Sequence, residues 1–239
     1  MTAALHVHPT TALAERVLLP GDPGRALLLA QALLAQPKMF NHNRGLWGYT
    51  GAAADGEPLT IQSTGMGGPS AAIVIEELVQ LGARRLVRVG TCGALIGGFE
   101  LGDVIVAREA VCADGASRAL GAGQRVAADP ELTAALEAAA KRELGQPPAS
   151  GAVVTTDLFY DPDGNHADPG AHPGGTDERV LAIEMETATL FRLAELRGVQ
   201  AGCMLAVSDL LGPARGRIDA EAMEAAAQRI GRIAAAALC

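Results

Sequence analysis

Short β-rich runs alternate with segments of helical periodicity along this chain, and this alternation constrains the fold more than any other feature. Strands that are separated by helical segments form βαβ units around a buried, largely parallel sheet. We therefore predict one α/β domain over residues 1–239, with a mixed, largely parallel central sheet flanked by helices in a Rossmann-like three-layer arrangement. The predicted strands cover residues 16–19, 48–51, 59–63, 85–89, 103–107, 151–155, 180–183 and 201–207, and the predicted helices cover residues 25–34, 71–81, 130–144, 186–197 and 219–238.

Glycine-rich turns follow three of the predicted strands, at residues 20–23, 65–68 and 90–93. Ligands of such sheets bind at the carboxyl ends of the strands, so these turns are the first place to look for a site. Residues 161–179 differ from the rest of the chain, because they are too rich in Gly, Pro and Asp for regular structure. Their composition predicts a long mobile loop.

Composition and charge exclude several classes of protein. The formal net charge of −8 argues against a general nucleic-acid binder, which would carry a basic face. Apolar segments are interrupted well before the ~18 residues that a membrane span needs, and residues 1–9 lack the pattern of a signal peptide. The four cysteines, Cys92, Cys112, Cys203 and Cys239, form no CxxC pair. We therefore expect a cytoplasmic protein with reduced thiols, no metal site and no organic cofactor.

Three arginines and two of their neighbours are candidates for binding an oxyanion. Gly21 can bring a bare backbone N–H close to an oxyanion, and Arg25 follows in the first turn of a helix. Arg44 lies just before a predicted strand, and Arg88 lies inside an apolar strand, where a guanidinium is costly to bury unless an anion meets it. Thr91, in the next glycine turn, adds a hydroxyl and an N–H. Such groups can converge on a phosphate dianion, although each arginine alone also fits a surface salt bridge.

Three carboxylates stand where predicted strands end. Glu184 and Glu186 flank Met185 at the passage from a strand into a helix, where a carboxylate could accept hydrogen bonds from the vicinal hydroxyls of a sugar. The helix dipole alone also favours glutamate in a first helical turn. Asp209 ends a very apolar strand, and its alternative role is that of an N-cap or turn residue.

A dinucleotide site is the competing interpretation of one glycine turn. Residues 65–70 read GMGGPS after a predicted strand, but Ser70 stands where the third glycine of a GxGxxG motif would be. The turn also does not follow the first strand of the chain, so the pattern does not favour a nicotinamide or flavin enzyme.

Eight motifs together resemble the nucleoside phosphorylase superfamily, which contains hexameric bacterial purine nucleoside phosphorylase and uridine phosphorylase. They occur in the family's order, with similar spacing, over nearly the whole chain. The motifs are LLPGDPGR (18–25), NRGLWGYTG (43–51), STGMGGPS (63–70), RVGTCGAL (88–95), GDVIVA (102–107), TTDLFY (155–160), IEMETATLF (183–191) and VSD (207–209).

The resemblance implies a role for residues at each part of a nucleoside substrate. The implied phosphate site consists of Gly21, Arg25, Arg44, Arg88 and Thr91. The implied ribose contacts are His6, Met66, Met185 and Glu186, with His8 as the alternative to His6. The implied base contacts are Gly93, Phe159, Glu184 and Asp209. Arg44 and His6 match residues that reach across a dimer interface, so the resemblance implies a homo-oligomer, with a hexamer of three dimers as the family pattern.

The implied reaction is phosphorolysis of a nucleoside to a free base and ribose 1-phosphate, without a metal or organic cofactor. Glu186 would fix the 2′- and 3′-hydroxyls while the ribose gains oxocarbenium character. Asp209 would donate a proton to purine N7, which needs help because an ordinary aspartic acid has a pKa of ~3.9. In the family, an arginine beyond the aspartate gives that help. Arg215 and Arg217 lie nearby in the sequence, but their spacing from Asp209 differs from the hexameric purine pattern, so both are candidates.

The motifs divide between purine and pyrimidine enzymes. Residues 63–83 and 114–117 look closer to uridine phosphorylases. Uridine enzymes, however, read uracil with a Gln-x-Arg pair, and residues 161–179 hold no glutamine and only a terminal arginine. Residues 159–164, FYDPDG, resemble the purine enzymes, and uracil has no N7 for Asp209 to protonate. We expect purine nucleosides as substrates, with uridine as the alternative.

Two further alternatives keep the fold but change the activity. Nucleosidases that use water, such as those acting on methylthioadenosine, would not need Arg25, Arg44 and Arg88 for phosphate. A binding or storage protein would be expected to have lost Glu186, Asp209 or one of these arginines, and this chain keeps all of them.

Overall fold

The structure of the protein is a computed structural model that describes residues 4–160, 180–211 and 215–239. The strands are β1 (Arg16–Leu19), β2 (Ala35–Asn41), β3 (Gly48–Ala52), β4 (Pro58–Gln62), β5 (Arg85–Ala94), β6 (Val104–Cys112), β7 (Arg125–Ala127), β8 (Ala149–Thr155), β9 (Val180–Glu184), β10 (Gln200–Leu210) and β11 (Gly216–Arg217). The helices are α1 (Pro23–Leu33), α2 (Gly68–Leu81), α3 (Gly115–Ala119), α4 (Pro130–Leu144), α5 (Thr187–Arg197) and α6 (Ala220–Leu238), and a 3₁₀ turn covers Asn43–Gly45.

Local sequence explains where the long helices begin and end. Helix α4 starts after Asp129, whose carboxylate accepts a hydrogen bond from the N–H of Leu132, and Pro130 occupies the first turn. It ends at Gly145, which adopts the left-handed conformation that glycine accepts without steric cost. Helix α6 is capped in the same way by Asp219. These ends explain why the helical pattern was read correctly from the sequence.

The strands form a mixed sheet whose centre closes on itself. Strands β5, β10, β6, β8 and β9 pair in a ring, because β5 pairs with both β10 and β9. The sheet then continues outward from β5 through β1, β4, β3 and β2. The parallel pairs are β1–β4, β1–β5, β5–β10, β6–β8 and β8–β9, and the remaining pairs are antiparallel. A mixed α/β fold is therefore confirmed, whereas the closed ring was not predicted.

Helices cover the sheet on both faces, as the three-layer prediction required. Helices α2 and α5 contribute Val74, Leu78 and Phe191 to one buried cluster. Helices α1, α4 and α6 contribute residues such as Leu29 and Leu136 to another. Because both faces are covered, the carboxyl ends of the central strands are the place where a site can open to solvent.

Several elements differ from the sequence prediction. Strand β5 continues to Ala94, so residues 90–93 lie in the strand and not in the predicted glycine turn. Strand β2 was missed because five of its seven residues are exposed and Pro37 interrupts the apolar pattern, as befits an edge strand. The short elements β7, α3 and β11 were also missed. The predicted mobile loop at 161–179 lies outside the described residues.

Among the residues that the structure describes, no helix is both long and apolar enough to cross a membrane.

Candidate active site

A cavity of about 490 Å³ opens at the carboxyl ends of the central strands. Its walls come from the residues that follow β1, β4, β8 and β9 and from the ends of β5 and β10. Every residue predicted for the site lines this cavity except His6 and Arg44. The topology therefore brings together motifs that are scattered over most of the chain.

Arg88 lies at the buried end of the cavity between two carboxylates. Its Nε is 2.9 Å from Oε2 of Glu184, and its Nη2 is 2.5 Å from Oε2 of Glu186. Burial lowers the pKa of Arg88, but the carboxylates of Glu186 and Glu184 outweigh that effect and raise the pKa above its ordinary value. The sequence required an anion beside this buried arginine, and the structure supplies two from the chain itself.

Glu186 is held by a second group as well as by Arg88. The backbone N–H of Gly67, at the start of α2, donates to its Oε1 at 2.5 Å. Burial raises the pKa of Glu186, and the nearby Arg88 partly offsets this rise. A carboxylate fixed from two sides in this way is pre-positioned to accept hydrogen bonds from sugar hydroxyls.

Gly90 makes room for the Arg88 side chain on the same strand. A Cβ atom at position 90 would lie 2.6 Å from the guanidinium carbon of Arg88. Because the guanidinium is clamped by two carboxylates, it could not move aside without breaking those ion pairs. The glycine-rich sequence after Arg88 therefore reflects a close approach within a strand and not a turn.

Arg25 is the cation of the cavity that lacks a matching partner. Its Nη1 is buried and donates to no hydrogen-bond acceptor among the described residues, and its Nε lies 3.9 Å from Oδ2 of the half-exposed Asp22. Burial lowers the pKa of Arg25, and repulsion from Arg88 lowers it further. Two guanidinium groups that repel each other beside an unsatisfied donor form a place where an oxyanion would be stabilised.

Glu184 is more deeply placed than a base contact requires. Its side chain is fully buried, and its carboxylate accepts hydrogen bonds from the hydroxyl of Thr155 and from the backbone N–H groups of Glu186 and Thr187, in addition to Arg88. These contacts fix the start of α5 and the orientation of Arg88. The predicted contact between Glu184 and the base stays a prediction.

Asp209 stands at a bulge near the end of β10. Ser208 is the extra residue, because Val207 pairs with Cys92 and Asp209 pairs with Gly93 on β5. The bulge lets the consecutive residues Ser208 and Asp209 both line the cavity, which the alternation of a regular strand would prevent. The Ser208 hydroxyl lies 2.7 Å from Oδ2 of Asp209 and can donate to it.

Arg217, and not Arg215, approaches Asp209. Strand β11 folds back along β10, so that Arg217 stands opposite Asp209 in the antiparallel register. The Nε of Arg217 is 3.7 Å from Oδ1 of Asp209, and two thirds of the Arg217 side chain is exposed. Among the described residues, Arg217 is the arginine that forms an ion pair with Asp209, and assistance of Asp209 by an arginine stays a prediction.

The outer part of the cavity is more exposed. Phe159 is 39% exposed and packs edge-to-face against Tyr160, with ring centroids 4.9 Å apart. Met66 is 85% exposed on the turn after β4, and Met185 is half-buried. An aromatic ring and two thioethers give this part of the cavity an apolar surface, and their predicted contacts with base and ribose stay predictions.

His6 and Arg44 do not line the cavity of their own subunit, but they lie close to each other. The Asn43 side chain donates to the carbonyl of His6 at 3.0 Å, which ties the N-terminal segment to the turn that carries Arg44. Arg44 is exposed and adopts φ 57°, a left-handed conformation that is strained for a non-glycine residue. His8, the alternative to His6, is exposed, and its ring contacts the carbonyl of Leu5 while its backbone N–H donates to Oδ1 of Asn41 at 2.9 Å.

Three residues that line the cavity or contact its predicted residues were missed at the level of sequence. Ser208 was part of a quoted motif but had no role, and Gly90 was attributed to a turn. Glu77, on α2, contacts His6 and was counted as an ordinary helical residue. A signal for Glu77 exists, because it falls between Val74 and Leu78 on the apolar face of the helix.

Comparison with known proteins agrees with this geometry. The sequence matches the profile of the phosphorylase superfamily over residues 15–239. It is 39% identical over 201 residues to a DeoD-type purine nucleoside phosphorylase of Caldanaerobacter subterraneus subsp. tengcongensis, covering 83% of this chain and 84% of the relative. It is also 39% identical over 203 residues to a uridine phosphorylase of Thermococcus kodakarensis, covering 81% of this chain and 72% of the relative.

A solved structure supports the same assignment. The crystal structure of uridine phosphorylase from Vibrio fischeri superposes on this chain with a TM-score of 0.81 at 26% identity, covering 95% of this chain and 92% of the other. Both the sequence profile and the superposition extend over the strands that build the cavity. The chain therefore belongs to the phosphorylase superfamily.

Proposed function

We propose that the protein catalyses phosphorolysis of purine nucleosides, giving a free purine base and ribose or deoxyribose 1-phosphate. The observation that carries this proposal is the content of one cavity. It holds two close arginines, one with an unsatisfied buried donor, together with a carboxyl group that is braced by Ser208 and Arg217. These are the groups needed to bind phosphate and to protonate a leaving base.

Phosphate would bind between Arg25 and Arg88, with Gly21 and Thr91 beside them. The dianion would satisfy Nη1 of Arg25 and remove the repulsion between the two guanidinium groups. Arg88 would stay oriented by its two carboxylates. This arrangement positions the phosphate as the nucleophile for the ribose, and the reaction then needs no metal or organic cofactor.

The sugar and the base would react in the middle and outer parts of the cavity. Glu186 would accept hydrogen bonds from the 2′- and 3′-hydroxyls and place negative charge near the developing oxocarbenium ion. As the C1′–N9 bond breaks, its electron pair goes to the base, Asp209 donates its proton to N7, and an oxygen of the bound phosphate forms the new bond to C1′. The new carboxylate of Asp209 would be stabilised by Arg217 at 3.7 Å.

Purines are favoured over uridine by the base end of the cavity. Asp209, assisted by Arg217, can donate a proton to N7 of a purine, whereas uracil has no N7. The relatives of Caldanaerobacter and of Geobacillus kaustophilus, the latter 38% identical over 211 residues, bear the name of purine nucleoside phosphorylase. Uridine remains the second candidate, because a uridine phosphorylase of Thermococcus kodakarensis is 39% identical to this chain.

The working unit would be a dimer, with three dimers forming a hexamer. His6 and Arg44 lie together on one exposed part of the subunit and outside its own cavity. In the proposed dimer, His6 reaches the ribose 5′-hydroxyl and Arg44 reaches the phosphate in the partner's cavity. Arg44 then supports the phosphate site without being buried in its own subunit.

The experiment that tests the proposed function measures initial rates of base release from inosine, adenosine and uridine, each with and without inorganic phosphate. We expect phosphate-dependent release of purine. Comparison of inosine with adenosine then ranks 6-oxo against 6-amino bases.

Two other outcomes would overturn parts of the proposal. Phosphate-dependent release of uracil alone would keep the arginine site but overturn the role of Asp209 as acid. Release that does not depend on phosphate would identify a hydrolase and leave Arg25 without its assigned ligand.

A further inference from the structure

Glu77 lies on the buried face of α2, and its carboxylate receives an unusual set of hydrogen bonds. The backbone N–H groups of Leu5, His6 and Val7 donate to it at distances of 2.7–3.2 Å. The Nδ1 atom of the His6 ring lies 2.8 Å from its Oε1. One helical carboxylate thus accepts from three consecutive backbone groups and one side chain.

These contacts fix the chemical state of the His6 ring. Although burial raises the pKa of Glu77, the hydrogen bonds from Val7 and His6 outweigh it and hold the pKa below its ordinary value. A carboxylate is only an acceptor, so Nδ1 of His6 must carry the hydrogen. In the neutral ring, Nε2 then presents a lone pair. Among the described residues, no hydrogen bond is made to Nε2, and about a third of the His6 side chain is exposed.

We propose that Glu77 is a positioning residue that orients His6 and sets its tautomer, so that Nε2 accepts a hydrogen bond from the ribose 5′-hydroxyl in the partner's cavity. This inference rests on the proposed function, which assigns His6 to the ribose. Glu77 does not itself touch the substrate, since it does not line the cavity.

The segment has a second anchor that separates orientation from attachment. The side chain of Val7 is fully buried in the core cluster beneath α2. Replacing Glu77 by glutamine would keep the shape of the side chain and leave Val7 in place. The amide NH₂ of glutamine, however, would face one of the donors that the carboxylate accepts now, so the geometry of His6 would be lost.

The test compares inosine with 5′-deoxyinosine, which lacks the hydroxyl that His6 contacts. We expect Glu77→Gln to lower kcat/KM for inosine about tenfold and to leave kcat/KM for 5′-deoxyinosine unchanged. His6→Ala should give the same pattern. The double variant should be no worse than His6→Ala alone, because both changes remove one interaction.

Glu76→Gln is the matched control. Glu76 is the preceding residue of the same helix and forms an ion pair with Arg197 at 2.8 Å, away from His6. The Glu76→Gln variant therefore loses a charge and an ion pair by the same chemical change. Its ratio of kcat/KM for inosine to kcat/KM for 5′-deoxyinosine should not change. Thermal unfolding of both variants separates a loss of stability from a loss of orientation.

A measurement on the unchanged protein keeps the inference testable if Glu77→Gln fails to fold. The ¹⁵N chemical shifts of the His6 ring at about pH 8.5, identified by their loss in His6→Ala, report the tautomer of the neutral ring. Hydrogen on Nδ1 is expected, and hydrogen on Nε2 would overturn the inference.

The kinetic outcomes distinguish this inference from the proposed function. If Glu77→Gln lowers kcat/KM equally for inosine and 5′-deoxyinosine, the role of Glu77 is overturned but the proposed function is not. The same holds if the separate losses in kcat/KM of Glu77→Gln and His6→Ala multiply in the double variant. An unchanged protein that releases no base from inosine with phosphate would overturn the proposed function, and this inference with it.

Discussion

The two ends of the cavity are built in different ways. The proposed phosphate end, formed by Gly21, Arg25, Arg88 and Thr91, lies close to the core and is braced by buried carboxylates. The proposed base end is formed by Gly93, Phe159, Ser208 and Asp209, and Phe159 is 39% exposed. Strand β5 runs from one end to the other, because Arg88 and Gly93 are five residues apart on it, a span of about 16 Å.

This difference indicates which substrate, phosphate or base, would bind at the more rigid part of the fold. Phosphate is the same molecule in every reaction of this kind, so its site can be rigid and buried. The base is the part that varies, and its site uses an exposed ring, a bulge and a two-residue strand that small changes in sequence can rearrange. Relatives named for purines and for uridine at equal identity are what such a division would produce.

The largest effect is expected at the base end. Asp209→Asn should lower kcat for inosine about 10²- to 10³-fold, because the leaving base loses its proton donor, while the KM for phosphate stays within twofold. With 7-methylguanosine, whose N7 is already substituted, the loss should be small. Initial rates on both nucleosides measure this. An equal loss on both would show that Asp209 does not act as the acid.

The next effect is expected at the phosphate end. Gly90→Ala should raise the KM for phosphate about 10- to 100-fold, because the new Cβ would displace the Arg88 guanidinium from its carboxylates. Gly97→Ala is the control, since a Cβ there would meet no atom within 4 Å. Phosphate titration of both variants at saturating inosine measures the effect. If Gly90→Ala raised the KM for inosine and not that for phosphate, the two ends of the cavity would not act separately.

A smaller effect is expected from the partner of Asp209. Arg217→Gln should lower kcat for inosine about two- to fivefold, because the ion pair at 3.7 Å involves a largely exposed side chain. Arg215→Gln, an exposed arginine two residues earlier, should have no effect. The loss should also shrink at high salt, which screens an exposed pair. Equal losses in both variants would remove the assignment of Arg217.

The smallest effect is expected from the thiols. Burial raises the pKa of Cys203 to about 12 and holds the pKa of Cys92 well above its ordinary value, so both stay protonated near neutral pH. Cys112 is buried as well, and only Cys239 is exposed. A thiol reagent at pH 8 should label one cysteine of the native chain without loss of activity. Rapid labelling of Cys92 would show that the floor of the cavity is open to solvent.

The sequence predicted the elements whose signals are local. Helix α4 was predicted over residues 130–144, and the structure shows that Asp129 and Gly145 cap these ends. Strand β2 was not found, because its exposed residues carry no alternation, and β11 is too short to leave a pattern. The continuation of β5 through Gly90 was read as a turn, because the sequence does not show that the Arg88 side chain, held by two glutamates from almost 100 residues away, needs the space at position 90.

The sequence predicted most residues that line the candidate site but not the contacts that these residues make with one another. Arg88 was recognised as a buried cation in need of an anion, but its partners come from almost 100 residues away along the chain. The choice between Arg215 and Arg217 depended on the register of β11, which no local pattern encodes. Glu77 was overlooked for the same reason, because its partners lie about 70 residues earlier in the chain.

The pairing of β5 with β10 also has a consequence for how the protein is made. These two strands are more than 100 residues apart in the chain, and they form the longest ladder in the sheet. During synthesis, β5 leaves the ribosome long before its partner, so the ring cannot close until nearly the whole chain has emerged. Chains truncated before residue 200 would expose an apolar strand edge and should aggregate, whereas the complete chain should fold slowly to a protein in which the cavity forms last.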